Sequence, residues 1–368
     1  MAFGLFKKKK KKENTDSRFL NLTIKEVVKE TEDAVSLVFE EPESGKLSYK
    51  PGQFITLIAT INGKKVRRAY SLCSSPFLNE NPAVTVKRVE DGVMSNFINN
   101  TLKAGDQIEI MEPMGSFTPE IIPANKRHIF LIGGGSGVTP LLSIAKSILS
   151  EEKESKVSLI YANRDESSII FNATIANLQE QYPDNFNVVH FLENPPATWT
   201  NYIGWLDTAK LRTVFSSLDD TSYSDVSYYT CGPEPMMNIV MDTLSQMNVP
   251  DDKKHKESFV AGNTSPKDII ADENQSIEEQ EVTVILDGEE HKYMVSPKST
   301  ILESGLDQNL DMPYSCQSGL CTACRGKCLS GKIKMDEEDG LSEEEKAEGY
   351  VLLCVGHPMT DDVVVEIG

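Results

Sequence analysis

The C-terminal part of the chain is organised around the segment Cys316-Gln317-Ser318-Gly319-Leu320-Cys321-Thr322-Ala323-Cys324, with Cys354 further along. The four cysteines have the spacing C-x4-C-x2-C, and the last follows after 29 more residues. Four thiolates in this arrangement can hold two irons bridged by two sulfides. Small residues fill the loop, so backbone N–H groups can turn toward the sulfurs and stabilise their charge. We therefore predict a [2Fe–2S] cluster bound by Cys316, Cys321, Cys324 and Cys354.

Zinc is the alternative, because Cys321-x2-Cys324 alone is a common half-site for zinc. A zinc site usually pairs it with a second closely spaced pair of ligands, and the sequence contains none after it. The x4 spacing and the flanking residues 314–326 resemble plant-type ferredoxins. A cluster of that type carries one electron at about −400 mV, so another part of the chain must supply single electrons. Cys328 fits no ligand position, and we interpret it as a packing residue.

The composition describes a globular protein of two or three domains. The chain has 368 residues and a net charge of −19, which argues against nucleic-acid binding. Residues 281–368 carry 18 acidic and 7 basic side chains. This acidic surface is either simply solvated or a docking face for a basic partner. Seven cysteines, four of them assigned to the cluster, favour a cytoplasmic protein over a disulfide-bonded one.

Residues 1–17, with six lysines at 7–12, are predicted to be a basic disordered tail. The alternative is weak attachment to an anionic membrane surface. The order of charge and apolar residues is the reverse of that in a secretory signal, and no run of 18 apolar residues predicts a membrane span.

Residues 18–124 are predicted to form an antiparallel β-barrel. Short runs of β-forming residues follow one another without helices between them, and Asn62-Gly63 is a strong hairpin turn. Two later blocks, Arg68-Ala69-Tyr70-Ser71 and Gly92-Val93-Met94-Ser95, resemble the R-x-Y-S and G-x-x-S signatures of the flavin-binding barrel in the ferredoxin–NADP reductase superfamily.

This resemblance implies an FAD site. Arg68 would pair with a phosphate, Tyr70 would lie against the flavin ring, and Ser71 would bond the ring nitrogen that takes the hydride. Gly92 would allow close backbone approach, and Ser95 would cap a helix over 96–103 whose N-terminus favours the pyrophosphate. The remaining residues implied at this site are Ala69, Lys87, Val89 and Met94.

Residues 125–260 alternate strands with helices, which predicts an α/β domain with a parallel sheet. The turn Gly133-Gly134-Gly135-Ser136-Gly137-Val138-Thr139-Pro140 and the segment Cys231-Gly232-Pro233 resemble the nicotinamide-binding domain of the same superfamily. The resemblance implies nucleotide contacts from Gly133, Gly135, Gly137, Thr139, Cys231, Gly232 and Pro233, with Cys231 beside the nicotinamide ring.

The choice of nucleotide depends on the residues after the second strand of this domain. Arg164 could bind a 2′-phosphate, which favours NADPH, whereas Asp165 and Glu166 would suit the free ribose hydroxyls of NADH. Residues 254–259 resemble the E-x-F strand that returns toward the flavin in the superfamily. This places Glu257, with Ser71 and Cys231, among the predicted catalytic residues.

Residues 261–280 are poor in apolar side chains and are predicted to be a linker. Residues 281–368 are predicted to be an α+β, β-grasp-like ferredoxin domain. The whole arrangement resembles fusion reductases that feed oxygenases, in particular the reductases of phenylacetyl-CoA epoxidase and ketosteroid 9α-hydroxylase.

We therefore expect electrons to pass from NAD(P)H through FAD and a [2Fe–2S] cluster to a partner oxygenase, which docks near the ferredoxin domain. Phenylacetyl-CoA epoxidase is one candidate acceptor. The alternatives are a reductase for another acceptor, such as a hybrid-cluster protein or a cytochrome, and a redox-sensing interaction module.

Overall fold

The computed structural model describes residues 19–42, 45–259, 279–286, 288–317, 319, 321–338 and 340–367. The predicted tail and all but the last two residues of the predicted linker lie outside these ranges. Gln280, the last residue of that linker, already belongs to a strand.

The N-terminal part is an antiparallel barrel, as predicted. Its strands run in the order β4-β3-β6-β1-β2-β5, and a bridge between Leu72 and Val84 brings the two edges together. Apolar side chains such as Leu22, Leu37 and Leu57 alternate inward and form its core. The elements are Phe19–Thr31 (β1), Ala34–Phe39 (β2), Phe54–Ile61 (β3), Lys64–Ser71 (β4), Ala83–Lys87 (β5), Val93–Thr101 (α1) and Gln107–Met114 (β6).

The predicted helix start in the barrel is wrong. Helix α1 begins at Val93 with Gly92 at its N-cap, so Ser95 lies within the first turn. The Ser95 hydroxyl accepts the backbone N–H of Val89 instead, at 3.1 Å. The Ser95 side chain therefore fixes the loop that leads into the helix, and within the described ranges no side chain caps the helix itself.

The central part is a six-stranded sheet, β10-β9-β8-β7-β11-β12, in which all pairs are parallel. Strand β7 is buried throughout because helices cover both faces of the sheet. The elements are His128–Gly134 (β7), Val138–Glu151 (α2), Lys156–Asn163 (β8), Asn172–Gln181 (α3), Phe186–Leu192 (β9), Tyr202–Ile203 (β10), Thr208–Leu218 (α4), Val226–Cys231 (β11), Glu234–Gln246 (α5) and Lys254–Glu257 (β12).

The C-terminal part is a mixed five-stranded sheet in the order β14-β13-β19-β15-β17, with a separate pair β16-β18. The last strand lies parallel to the first, and Ile301 of α6 packs with Val282 and Val284 of the sheet. This is the predicted β-grasp-like arrangement. The elements are Gln280–Leu286 (β13), Glu289–Val295 (β14), Ile301–Asp307 (α6), Arg325–Ser330 (β15), Ile333–Met335 (β16), Glu343–Ala347 (α7), Tyr350–Leu352 (β17), Gly356–Pro358 (β18) and Val363–Ile367 (β19).

Across the described ranges, no helix is both long enough and apolar enough to cross a membrane.

Candidate functional site

A cavity of about 300 Å³ lies where the barrel, the parallel sheet and the C-terminal part meet. We call it the junction cavity. Its walls include many of the residues predicted to bind FAD. It also receives side chains from each of the other two parts. The predicted residues that line it are Arg68, Ala69, Tyr70, Ser71, Lys87, Val89, Gly92, Met94, Ser95, Thr139, Glu257 and Cys316.

The barrel wall of the cavity is built by the end of β4. Strand β4 pairs with β3 through its whole length, which holds Arg68 to Ser71 in fixed positions. Arg68 donates from Nη1 to the carbonyl oxygen of Arg67 at 2.7 Å, so its guanidinium is partly anchored. Burial raises the pKa of Tyr70, which keeps its hydroxyl protonated. The segment thus offers a cation, an aromatic ring and a hydroxyl to one ligand.

The entrance to α1 leaves room for a ligand at backbone level. A Cβ atom on Gly92 would lie 2.5 Å from the Ser95 Oγ and 3.0 Å from the Val89 Cβ. Any side chain at Gly92 would therefore displace the loop. The free N–H groups of the first helical turn, together with Lys87 on the same cavity wall, favour a pyrophosphate here.

Glu257 closes the cavity from the side of the parallel sheet. Its carboxyl group is hydrogen-bonded to the Ser71 hydroxyl, and its Oε2 atom is buried with no partner among the described residues. Burial, together with negative charge on the nearby Cys316, raises the pKa of Glu257 to about 8, although the bond from Ser71 acts in the opposite direction. A buried carboxyl oxygen without a partner suits a ligand that brings its own donor groups, as a flavin ring does.

The glycine turn and the Cys231 segment meet at the carboxyl edge of the parallel sheet. A Cβ atom on Gly137 would lie 2.1 Å from the Cys231 carbonyl oxygen, and one on Gly134 would lie 2.7 Å from Pro233. Glycine is required because the two loops are in backbone contact. The structure thus brings together the predicted nucleotide residues Gly133, Gly135, Gly137, Cys231, Gly232 and Pro233 beside the junction cavity.

Cys231 is fully buried, and this burial raises the pKa of its thiol well above the usual range. The thiol therefore stays protonated. Strand pairing places Cys231 directly opposite Glu257. The two predicted catalytic residues of the parallel sheet are consequently neighbours, and Glu257 is the one that lines the cavity.

Arg164 lies apart from the cavity, after the end of β8. Its side chain is 61% exposed, and its Nε donates to Asp165 Oδ2 at 2.9 Å. Asp165 also accepts the backbone N–H of Ser168 at 2.9 Å and the Ser167 hydroxyl, and these bonds hold its pKa at about 2. Asp165 is therefore occupied as a helix cap, while most of the Arg164 side chain is exposed to solvent.

The four predicted cluster ligands lie together. The Cys321 thiol contacts Cys316, and the Cys354 thiol contacts both Cys316 and Cys324. These contacts and burial raise the pKa of Cys321 and Cys354 far above normal, so four thiolates here require compensating cations. Such a set of soft donors fits an iron–sulfur cluster. Cys328 instead points its thiol at the Ser330 carbonyl oxygen, 3.2 Å away.

A buried arginine ties the cysteine loop to the barrel. Arg67 is 3% exposed and donates to the Met312 carbonyl oxygen at 2.6 Å and to Asp311 Oδ1 at 2.8 Å. Its guanidinium also lies over the ring of Tyr314, 5.2 Å from the centroid. The next residue, Ser315, bonds the Thr56 hydroxyl. These contacts hold the residues immediately before Cys316 against β3 and β4.

Sequence reasoning missed several residues at this site. Some had a signal, since Ser315 precedes a predicted ligand and Phe259 completes the E-x-F pattern. Arg67 had none, because its role depends on how two distant parts of the chain pack. The missed residues that line the junction cavity are Phe54, Thr85, Val93, Ser136, Ser258, Phe259 and Ser315.

Comparison with known proteins gives the class of this arrangement. Residues 21–118 match the model of the oxidoreductase FAD-binding domain, residues 131–242 that of the oxidoreductase NAD-binding domain, and residues 284–359 that of the 2Fe-2S iron-sulfur cluster binding domain. The chain is thus a ferredoxin-type oxidoreductase with sites for FAD, a pyridine nucleotide and a [2Fe–2S] cluster.

Similarity to individual relatives identifies the family within this class more closely. The ferredoxin reductase component of 3-ketosteroid-9-alpha-monooxygenase from Rhodococcus rhodochrous is 38% identical over 95% of this chain and 97% of its own length. One of the subunits of 1,2-phenylacetyl-CoA epoxidase from Escherichia coli is 34% identical over 95% and 97%. The structure of phthalate dioxygenase reductase matches with a TM-score of 0.60 and 26% identity, over 95% of this chain and 98% of that one. The chain belongs to this family of oxygenase reductase components.

We expect each of Cys316→Ser, Cys321→Ser, Cys324→Ser and Cys354→Ser to abolish the electron paramagnetic resonance (EPR) signal of a reduced cluster, because each removes one of four thiolate ligands. Iron content measured on the same samples should fall as well. Cys328→Ser is the matched control and should retain both iron and signal. Loss of the signal in Cys328→Ser, or its retention in one of the other four, would contradict the ligand assignment.

We expect Arg67→Ala to slow reduction of the cluster roughly tenfold after the flavin has been reduced, because small displacements of reacting groups lower rates by an order of magnitude or more. Reduction of the flavin by nucleotide should stay within about twofold of wild type. Rapid mixing with absorbance and freeze-quench EPR separates the two steps. Lys65→Ala is the control, since Lys65 reaches the same Asp311 from the exposed surface. Equal effects of both changes on the rate of cluster reduction would show that Arg67 has no specific role in positioning the cluster loop.

Proposed function

We propose that this chain takes electrons from NADPH and passes them through FAD and a [2Fe–2S] cluster to a partner oxygenase. One observation carries the proposal: Cys316, a predicted cluster ligand, lines the same cavity as Arg68, Tyr70 and Ser71. A flavin held in that cavity would lie against the cluster loop, with no intervening domain to cross.

The barrel residues bind and orient the flavin. Arg68, Lys87 and the N-terminus of α1 supply positive charge for its phosphates. Tyr70 packs against the ring, and the Ser71 hydroxyl lies where a ring nitrogen would accept or donate a hydrogen bond. When bound, the flavin supplies the ability to take a hydride from a nicotinamide and to release electrons one at a time.

The parallel sheet presents the nucleotide to this cavity. Its glycine turn offers bare backbone to phosphates, and Thr139 from the start of α2 reaches the cavity wall. Cys231 and Glu257, as neighbours at the ends of β11 and β12, form the surface on which the nicotinamide would settle. Both side chains are buried, so they exclude water from the place of hydride transfer.

Delivery to an oxygenase is supported by the two relatives, whose partners differ. One relative belongs to a steroid monooxygenase and the other to a CoA-thioester epoxidase. Since reductases so alike serve such different substrates, we infer that the terminal substrate is chosen by the partner. The acidic C-terminal part, with Glu343 and Glu344 at the start of α7, suits a partner that docks with a basic face near the cluster.

Anaerobic titration with NADPH, and separately with NADH, tests the proposal. We expect bleaching of the flavin absorbance followed by the EPR signal of a reduced [2Fe–2S] cluster, and rapid turnover with an added one-electron acceptor. Reduction of the cluster without turnover would favour the redox-sensing alternative. No response to either nucleotide would overturn the assignment as a reductase.

We expect Arg164→Ala to raise the KM for NADPH about tenfold or more, because it removes charged hydrogen bonds to a 2′-phosphate worth about 1.5–3 kcal/mol. The KM for NADH should change by less than about twofold. Steady-state kinetics with both donors check this, and Lys210→Ala on α4 serves as a control for loss of one surface cation. Equal changes for the two donors would contradict a contact between Arg164 and the 2′-phosphate.

A further inference from the structure

The overall electron balance leaves one proton in the junction cavity at each turnover. A hydride brings two electrons and one proton, and an iron–sulfur cluster carries away electrons only. The proton must therefore reach solvent from a cavity walled by three parts of the chain. The family assignment gives the path of the electrons but not of this proton.

A chain of hydroxyl groups leads out of the cavity along the face of the barrel that points away from its core. Thr85 lines the junction cavity and lies opposite Ser36 on the paired strand β2. The Thr85 and Ser36 hydroxyl oxygens are 2.7 Å apart. The Ser36 hydroxyl in turn donates to Glu30 Oε1 at 2.5 Å. Both hydroxyl residues are 4% exposed, so the relay itself is shielded from water.

Glu30 ends this chain at a second cavity of about 350 Å³ between the barrel and the parallel sheet. We call it the outer cavity. Glu30 and Ser36 line it, and Lys25 and Lys146 lie on its walls. Glu30 is only half-buried, so a proton that reaches its carboxylate can pass to solvent.

The hydrogen bonds have one consistent direction. Because Ser36 gives its single hydrogen to Glu30, the Thr85 hydroxyl must donate to Ser36. The lone pairs of Thr85 Oγ1 then remain available to accept, because the neighbouring Cys73 thiol, 3.4 Å away, directs its own hydrogen to the Ala83 carbonyl oxygen. A proton accepted at Thr85 can thus be relayed to Glu30 by a shift of each hydrogen along the chain.

Glu257 lines the same junction cavity, but the hydrogen bond described for it leads back into that cavity. Its bonded partner is Ser71, which also faces the cavity. It is 9% exposed and lies opposite the buried Cys231. Glu257 can therefore hold a proton close to the reaction, whereas the Thr85 chain connects the cavity with a second, outer surface.

We propose that Thr85, Ser36 and Glu30 form the route by which the proton of each transferred hydride leaves the junction cavity for the outer cavity. This inference rests on the proposed function, since it requires a flavin that receives a hydride and gives up single electrons. Thr85 is the residue that faces the flavin; Ser36 and Glu30 act through it.

Proton release in a single turnover tests the route. The holoprotein is reduced with one equivalent of NADPH and mixed with oxidised cytochrome c in weak buffer containing a pH-indicator dye. We expect Ser36→Ala to slow proton release at least tenfold, while flavin reduction by NADPH stays within twofold of wild type. Thr85→Val changes a residue that faces the flavin, and it should slow proton release by the same factor. Glu30→Gln should have the same effect. Glu26→Gln is the matched control, because Glu26 lines the outer cavity on the same strand but is not in the relay.

Chemical rescue tests at which residue of the route proton transfer is blocked in each variant. In Glu30→Ala, added acetate should restore proton release, because a small carboxylate can enter the outer cavity where Glu30 stood. The same acetate should not rescue Thr85→Val, whose block lies earlier on the route than Glu30. Thermal unfolding of each variant within a few degrees of wild type establishes that the fold is retained.

A second measurement does not depend on turnover. Flash photoreduction of the bound flavin by an added sacrificial electron donor, without nucleotide or acceptor, draws a proton from solvent, and the same variants should slow this uptake by the same factor. Wild-type rates in Thr85→Val and Ser36→Ala, or slowing by Glu257→Gln alone, would overturn the route. If NADPH fails to reduce the wild-type flavin, the proposed function fails, while photoreduction still decides for or against the route.

Discussion

The buried guanidinium of Arg67 is the contact on which the functional arrangement depends. It lies on β4 beside Arg68, and these two adjacent residues of one strand have different roles. Arg68 faces the junction cavity, and Arg67 faces the loop that leads to Cys316. A charge that is 3% exposed is costly unless it is paired and hydrogen-bonded. Met312 and Asp311 accept hydrogen bonds from its two Nη atoms, the Tyr314 ring lies against it, and all three come from the C-terminal part. The Nε atom is buried with no partner among the described residues.

The motifs made most of the fold predictable. The antiparallel barrel, the parallel sheet and the β-grasp-like C-terminal part all follow from local patterns: turn residues between β-forming runs, alternation of strands with helices, and the cysteine spacing. The start of α1 was not predictable in the same way. Ser95 is a good capping residue by type, but Gly92 allows the chain to enter the helix three residues earlier, and Ser95 then bonds Val89.

The site was predictable where one strand or turn carries it, and not where separate parts of the chain meet. Arg68 to Ser71 lie on one strand end, and Gly133 to Gly137 on one turn. Ser136, Phe54 and Ser315 line the junction cavity only because three units pack around it. Thr85 is a similar case. A polar side chain in a strand does not by itself predict a function. The role proposed for Thr85 depends on its hydrogen bond to Ser36 on the neighbouring strand and on the cavities on either side.

The shared wall of the junction cavity also limits how this chain can be rearranged. Ser315 and Cys316 belong to the C-terminal part and yet complete the pocket formed by the barrel. A homologous C-terminal domain grafted in its place would have to reproduce this wall as well as hold a cluster. Exchange of domains between such reductases therefore requires that the surfaces of the barrel and of the new C-terminal domain match. Substitutions at Thr56, Arg67 and Asp311 would have to be made together in laboratory chimeras, and would have to occur together as natural sequences diverge.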